Sequence, residues 1–203
     1  MLKRFTNQDM FFHFTDKFPQ LIPYLDKYRA FLKRMEISAK TVLLEEGSVS
    51  QNYIYVEKGC VRAFFNNNGE AKTVQFFFEN EGLTSFESFT NNSPSLLTIE
   101  AIEPSVVHLL PKKYVNQLVK DLIKEPEFAQ LILQVSAGRQ MHYMNEFFSF
   151  IRDTPEERYQ NLLNNRPHII QRVPQHYIAS YLGVTTVHLS RIKSKIAKGK
   201  AHF

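Results

Sequence analysis

The sequence contains no tryptophan and a single cysteine, Cys60. One thiol excludes an intrachain disulfide, a cysteine-rich zinc site and a four-cysteine iron–sulfur cluster. Cys60 itself reads as a buried, inert thiol rather than a redox switch. No apolar run approaches the roughly 20 residues needed to cross a bilayer. The first residues, MLKRFTNQDMFFHF, hold neither an apolar stretch of signal-peptide length nor a small-residue cleavage site, so a cytoplasmic protein is expected. Internal repeats and low-complexity tracts are missing as well. There is no Gly-x-Ser-x-Gly elbow and no phosphate-cradling P-loop. A cupin-type metal centre needs several His and carboxylate ligands on adjacent strands, and only His108 falls in the β-rich region. His13, His142, His168, His176 and His202 are scattered and read as surface or capping residues. Glu45-Glu46 and Glu79/Glu81 are paired only by proximity and read as solvated loop residues. These absences point away from an enzyme: no catalytic residue, metal site or cofactor is expected.

What the chain does have is a phenylalanine-rich apolar fraction and a lopsided charge. Its 203 residues are 43% hydrophobic and include 18 Phe, enough for one large domain or a medium domain with a small satellite. The formal net charge is +5. Residues 1–153 hold 17 Lys/Arg against 18 Asp/Glu, whereas residues 154–203 hold 8 against 2. A polyanion-binding surface is therefore expected in the last quarter of the chain.

Apolar spacing predicts helix over residues 9–35, broken or kinked at Pro19 and Pro23. From Ser38 to Leu110 the texture becomes short and β-rich. The runs are 41–44, 53–56, 61–65, 73–78, 97–99 and 106–110, punctuated by Glu46-Gly47, Lys58-Gly59, Asn67-Asn68-Gly69 and Glu81-Gly82. Many short strands with regular turns predict a sandwich or roll, and Asn68-Gly69 predicts a tight hairpin because both residues tolerate positive φ. Pro111 ends this region. Tyr114, Leu118 and Leu122 then mark a helix over 112–122.

A longer helix is predicted over 126–152, with a stripe of Leu133, Ala137, Met141, Met144, Phe148 and Ile151 at spacings of 3 and 4. Leu131 and Val135 begin a second stripe on another face. Two apolar faces call for two partners, the chain's own β domain and a second subunit. Thr154-Pro155-Glu156-Glu157 is a helix start with a capping box, and it coincides with the change in charge. The expected organisation is a β-rich domain at 1–125, a long helix at 126–153 and a basic helical domain at 154–203.

The last of these carries the stretch VPQHYIASYLGVTTVHLSRIKSKI, residues 173–196. Pro174 suits the first turn of a helix whose Ile178, Ala179 and Leu182 face inward, and Gly183 stands where a left-handed stop is wanted. Thr185 can cap a second helix. On that helix Leu189, Ile192 and Ile196 share one face, while Val187, Arg191, Ser194 and Lys195 share the other, flanked by His188 and Ser190. A small, polar, basic outer face is what insertion into a major groove requires. Arg191 could meet guanine O6 and N7 bidentately, and Gln175, Thr185 and Lys195 could hold phosphates.

Over nearly its whole length the sequence resembles the Crp/Fnr family of bacterial transcription regulators. The matching parts are Tyr55-Val56-Glu57-Lys58-Gly59-Cys60-Val61-Arg62, the Asn68-Gly69 hairpin, the long helix, and Ile178-Ala179-x-x-Leu182-Gly183-Val184-Thr185 followed by Leu189-Ser190-Arg191-Ile192. The resemblance implies an α+β chain. It would consist of an N-terminal double-stranded β-helix (a jelly-roll or β-roll of the cyclic-nucleotide-binding type), a long dimerisation helix and a winged helix-turn-helix. It implies Thr186, Val187 and Arg191 at base-reading positions and Thr185 and His188 near phosphates. Double-stranded DNA, a second copy of the chain, RNA polymerase and an unidentified small-molecule effector are the implied partners, with no membrane among them.

Three departures from the family pattern matter. Members that bind cyclic AMP carry GELxxF…RSA, whose Glu holds the ribose and whose Arg pairs with the cyclic phosphate. Laid on this chain without gaps, those positions become Ser85 and Ser95, and Glu87 lies nearby. A cyclic phosphate would lack its charge-assisted partner, so cyclic AMP is not expected to bind. The oxygen-sensing branch needs a cysteine cluster, which Cys60 alone cannot supply. Val187 stands where many members carry a glutamate that accepts from a cytosine amine, so a different operator is expected. The chain leaves few residues for a wing after the recognition helix. A ligand, where one binds, is expected between the roll and the long helix near Phe76, Phe78, Phe86 and Phe89, with Ser85 and Ser95. The competing reading is a sensor or interaction module of the same fold without DNA-binding activity.

Overall fold

A computed structural model describes residues 22–200. The portion of the expected first helix at 9–21, His13 and His202 lie outside the described residues. The chain divides into two compact units, residues 22–65 with 76–132 and residues 66–75 with 133–200.

The first unit opens with α1 (Ile22–Arg29), whose Leu25 and Tyr28 are buried. Eight strands follow: β1 (Lys33–Ile37), β2 (Val42–Leu44), β3 (Asn52–Lys58), β4 (Val61–Asn67), β5 (Glu70–Phe77), β6 (Gly82–Leu83), β7 (Thr98–Ala101) and β8 (Ser105–Pro111). They form two four-stranded sheets with the orders β1-β8-β3-β6 and β2-β7-β4-β5. The resulting roll is filled by Ile54, Val56, Val61, Ala63, Phe77, Leu83, Ile99 and Val107. A short helix, α2 (Phe86–Asn91), is inserted between β6 and β7, and α3 (Lys112–Leu122) follows β8. Leu118 and Leu122 of α3 pack with Leu25 and Tyr28 in a second core that also takes in Tyr55, Leu110 and Phe128. The Tyr28 hydroxyl and Lys27 both donate to Asp121, at 2.6 and 2.7 Å, tying α1 to α3.

The β4–β5 hairpin follows from backbone chemistry. Asn68 and Gly69 both take positive φ, 53° and 88°, and the Gly69 amide donates to Asn66 Oδ1 at 2.8 Å. Such a turn matches the twist of the paired strands.

Three expectations are corrected here. The predicted helix over 9–35 ends at Arg29, and residues 33–35 belong to β1. Lys33–Ile37 pairs antiparallel with β8, Lys33 opposite Leu109 and Ile37 opposite Ser105, and Met35 and Ile37 pack on the roll core from alternate positions. The pairing partner lies some seventy residues away, so helical spacing alone gave the wrong period. Glu81-Gly82 is not simply a turn, because Gly82-Leu83 pairs with Tyr55-Ile54 of β3. A Cβ at residue 82 would overlap the Tyr53 hydroxyl, which would have to move to admit any other residue. Glu79 and Glu81 are not idle loop carboxylates: Glu79 Oε1 accepts from the Gly59 amide at 2.8 Å, and Glu81 Oε2 accepts from the Phe78 amide at 2.6 Å.

The long helix α4 runs from Pro126 to Arg152, 27 residues. Phe128 at its start is buried, but beyond residue 132 the helix is exposed along almost its whole length. Leu133 is 70% and Ile151 69% exposed, and Met141, Met144 and Phe148 lie open with them. Four further helices complete the second unit: α5 (Pro155–Asn165), α6 (Pro167–Arg172), α7 (Gln175–Tyr181) and α8 (Thr186–Lys200). No strand follows α8 among the described residues. At the start of α5, Glu157 donates its amide to Thr154 Oγ1 and its carboxylate accepts from the Thr154 amide, a complete capping box. The Thr154 amide and then its hydroxyl, both donating to Glu157 Oε2, at 2.7 and 2.8 Å, hold the Glu157 carboxyl below the usual carboxylate range.

Candidate nucleic-acid interface

The helical unit is built around α7 and α8. Tyr159 and Leu162 of α5, Ile169 of α6, Val173, Ile178, Ala179, Leu182, Leu189 and Ile192 form its buried apolar set. Leu189 and Ile169 have no exposure at all, and burying a side chain of this size contributes about 1.5–3 kcal/mol. The link between the two helices is a left-handed stop. The Val184 amide donates to the Ala179 carbonyl at 2.9 Å and the Gly183 amide to the Ser180 carbonyl at 3.1 Å, with Gly183 at φ 68°. This bond pair closes α7 and is available at low cost only to glycine or asparagine at the turn. Thr185 then caps α8, its hydroxyl accepting from the His188 amide at 3.1 Å.

With Leu189 and Ile192 turned inward, α8 presents Thr186, Val187, His188, Ser190, Arg191, Ser194 and Lys195 to solvent. Val187 is 60% exposed, an apolar side chain held out in water. Ser190, Arg191, Ser194, Lys195 and Lys198 border a shallow depression along the helix. Gln175, the first residue of α7, is exposed as well. Each of the side chains expected to read bases or hold phosphates is thus exposed. Two hydroxyls on it are already engaged: Ser194 donates to the Ser190 carbonyl at 3.0 Å, and Thr185 serves as a cap. Lys195 is also engaged, its Nζ standing 2.6 Å from Glu156 Oε2 at the start of α5. This pair is exposed, so it is weak and readily exchanged for another anion.

The roll tells a different story. Ser85 and Ser95, at the positions where a ribose-holding Glu and a phosphate-holding Arg would stand, are both buried and share a hydrogen bond of 2.9 Å. Ser95 Oγ also lies 2.7 Å from the Leu97 carbonyl and accepts from the Leu97 amide at 3.1 Å. Arg62 is buried in the roll, but its guanidinium meets Glu100 at 3.1 Å and lies 4.0 Å over the Phe64 ring. Phe76, Phe78 and Phe89 are buried as core residues. Phe86 departs from expectation: as the first residue of α2 it is 77% exposed and joins no interior set. Glu87 follows it into solvent. Cys60 is fully buried.

His108 holds an interaction that sequence gave no sign of. Its Nε2 lies 2.6 Å from Glu57 Oε2, and Arg34 donates to both Glu57 oxygens at 2.9 and 3.1 Å. Burial by itself would raise the Glu57 pKa, but the bonds from Arg34 and His108 outweigh it and hold the carboxyl below its ordinary value. Among the described residues no group of three or more His, Cys, Asp or Glu is placed to hold a metal ion.

Several other functional-unit contacts escaped sequence reasoning because their partners are far apart along the chain. The Ser180 hydroxyl accepts from the Thr73 amide and donates to the Ala71 carbonyl, each at 2.8 Å, so the tip of the β4–β5 hairpin docks on α7. Tyr181 donates to Glu146 at 2.8 Å, and Arg158 reaches the Leu182 carbonyl at 3.0 Å.

Residues 34–121 match the cyclic nucleotide-binding domain family. No curated protein matches the chain. Among solved structures the chain is similar to the c-di-GMP responsive global regulator CLP of Xanthomonas campestris, at 14% identity and TM-score 0.69 over 88% of this chain and 93% of that one. It is similar also to FixK2 of Bradyrhizobium japonicum, at 18% identity and TM-score 0.68 over 83% and 86%. A mutant CooA of Carboxydothermus hydrogenoformans aligns at 15% identity and TM-score 0.64 over 83% and 78%. At these identities the likeness is one of fold.

Proposed function

We propose that this chain, which carries a cyclic nucleotide-binding domain over residues 34–121 and the fold of the Crp/Fnr transcription regulators, is a homodimeric, sequence-specific DNA-binding regulator that does not answer to cyclic AMP. The observation that carries the reading is the outer face of α8. It is small, polar and basic, it follows a glycine-stopped helix, and it lies in the segment that holds 8 Lys/Arg against 2 Asp/Glu. Bulky side chains would hold such a helix away from base edges, and acidic ones would be repelled by phosphate. Thr186, Val187 and Arg191 are the base-reading residues. Gln175, Thr185, His188 and Lys195 hold the backbone, Lys195 exchanging Glu156 for a phosphate.

The exposed apolar length of α4 supports the dimer. A soluble monomer rarely leaves more than a few hundred Å² of contiguous apolar surface wet, and Leu133, Met141, Met144, Phe148 and Ile151 share that exposure on one helix about 40 Å long. A second copy of the same helix is the self-complementary partner. The two recognition helices would then enter successive major grooves about 34 Å apart. RNA polymerase and a small-molecule effector of the roll are the remaining partners. The site of action is the cytoplasm, consistent with no described helix being long and apolar enough to cross a membrane. Rejection of cyclic AMP rests on the mutually satisfied Ser85 and Ser95 and on the engagement of Arg62 by Glu100.

A gel shift on selected duplex DNA tests the reading. Binding should weaken steeply with salt, with a log–log slope of about −0.9 per phosphate contacted. Arg191→Ala should lose about 1–3 kcal/mol of discrimination at a guanine position. Unchanged specificity would sink the base-reading assignment, and binding indifferent to salt would leave the interaction-module reading in its place.

A further inference from the structure

The junction between the long helix and the reading head carries more bonds than a hinge needs. Three separate contacts join the last turns of α4 to α7 and its stop, all inside the second compact unit. First, the Tyr181 hydroxyl of α7 donates to Glu146 of α4 at 2.8 Å, with the Tyr181 ring buried. Burial above all, and then the Glu146 charge, push the Tyr181 pKa well up, so the hydroxyl remains a donor across the accessible pH range. Second, Arg158 at the start of α5 bridges the two ends. Its Nη1 donates to the Asp153 carbonyl just past the end of α4 at 2.7 Å, its Nη2 donates to the Leu182 carbonyl at 3.0 Å, and its guanidinium lies 4.8 Å over the Phe150 ring. Third, that same Phe150 ring packs against Gly183, its Cε1 3.0 Å from where a Cβ would be. The glycine of the helix-turn-helix turn is favoured by its φ of 68°, and a side chain there would also press on the Phe150 ring.

We infer that Arg158, with the Tyr181–Glu146 pair, is a positioning residue that welds the reading head to the long helix, so that the angle of α8 is set by α4 rather than by a free hinge at residue 153. A planar guanidinium that bonds two carbonyls from different segments while stacked on an aromatic ring has few alternative geometries. The inference rests on the proposed DNA-binding dimer and adds a consequence to it. With both heads fixed to the paired helices, the distance and the rotation between recognition helices are fixed too. Such a dimer tolerates little variation in half-site spacing, because one inserted base pair turns one half-site by roughly 35° and shifts it by about 3.4 Å.

The test uses the full chain. Duplexes are selected by the native protein from a randomised library of roughly 30 base pairs, long enough for two half-sites. The selected site is then remade with its central spacer lengthened or shortened by one and two base pairs. The native protein should lose about tenfold or more in affinity at each changed spacing, whereas Arg158→Ala should bind all spacings within about threefold of one another. Tyr181→Phe preserves the side chain's volume, is the variant that keeps the core intact, and should flatten the profile in the same sense. A merely structural role would lower affinity equally at every spacing and leave the profile's shape unchanged. That outcome overturns the weld while leaving DNA binding standing. A native protein that selects no sequence would overturn the DNA-binding reading and the weld with it.

Discussion

In the roll, several buried polar side chains are matched to one another. Ser85 meets Ser95, Arg62 meets Glu100, and Glu57 meets both His108 and Arg34. In the helical unit the polar side chains of α8 lie open, and the ion pair of Lys195 with Glu156 is exposed. The difference concerns the cost of taking a partner. A charged ligand entering the roll would have to break an internal pair and leave a buried group unsatisfied, which costs about 1–3 kcal/mol. A polyanion approaching α8 meets side chains that water already serves and an ion pair worth little. The roll is electrostatically closed and the head electrostatically open.

The largest effect expected along this divide falls on the hidden side of α8. Leu189→Ala should destabilise the helical unit by about 2–5 kcal/mol in urea unfolding, since the side chain is fully buried. Val187→Ala, on the exposed face of the same helix, should stay within about 0.5 kcal/mol in the same melt. Equal losses at the two positions would mean that α8 has no outer face. In the roll, Glu57→Gln should cost about 1–3 kcal/mol, because His108 and Arg34 lose their shared carboxylate. The native pair also predicts a pH dependence. The Glu57 pKa is depressed in the folded state, so its contribution is complete above the unfolded carboxylate value of about 4.3 and is lost as pH falls through the folded value. Urea midpoints of native protein and Glu57→Gln should therefore converge in acid, and a gap that persists there would contradict the pairing. The smallest expected effect is none: cyclic AMP should give no binding heat in calorimetry. A measurable affinity would open the roll and erase the contrast.

Local chemistry was the legible part. Asn68-Gly69, the Thr154–Glu157 box, the Gly183 stop and the inward Leu189 and Ile192 each involve residues a few positions apart, and each stands in the structure as the sequence suggested. The misses have a common cause. β1 resembled the tail of a helix because its partner, β8, begins at residue 105. β6 resembled a turn because its pairing partners, Tyr55 and Ile54, sit on another strand. Phe86 was grouped with Phe76 and Phe78 by residue type, and the start of α2 carried it to the surface. Of the exposed side of α8, the residue types and their spacing could be read in advance. The contacts that hold it in place, Arg158 to Leu182 and Tyr181 to Glu146, cross 24 and 35 positions and leave no local mark.

The docking of the β4–β5 hairpin on Ser180 bears on how the chain can be divided. The hydroxyl serves the Ala71 carbonyl and the Thr73 amide, groups more than a hundred residues upstream. No single cut therefore releases the helical unit whole. A fragment beginning at Leu133 leaves behind the ten residues of hairpin that complete it, while one long enough to keep them must carry the greater part of the roll. The chain crosses between the two units three times, after residues 65, 75 and 132, and no cut at one place separates them.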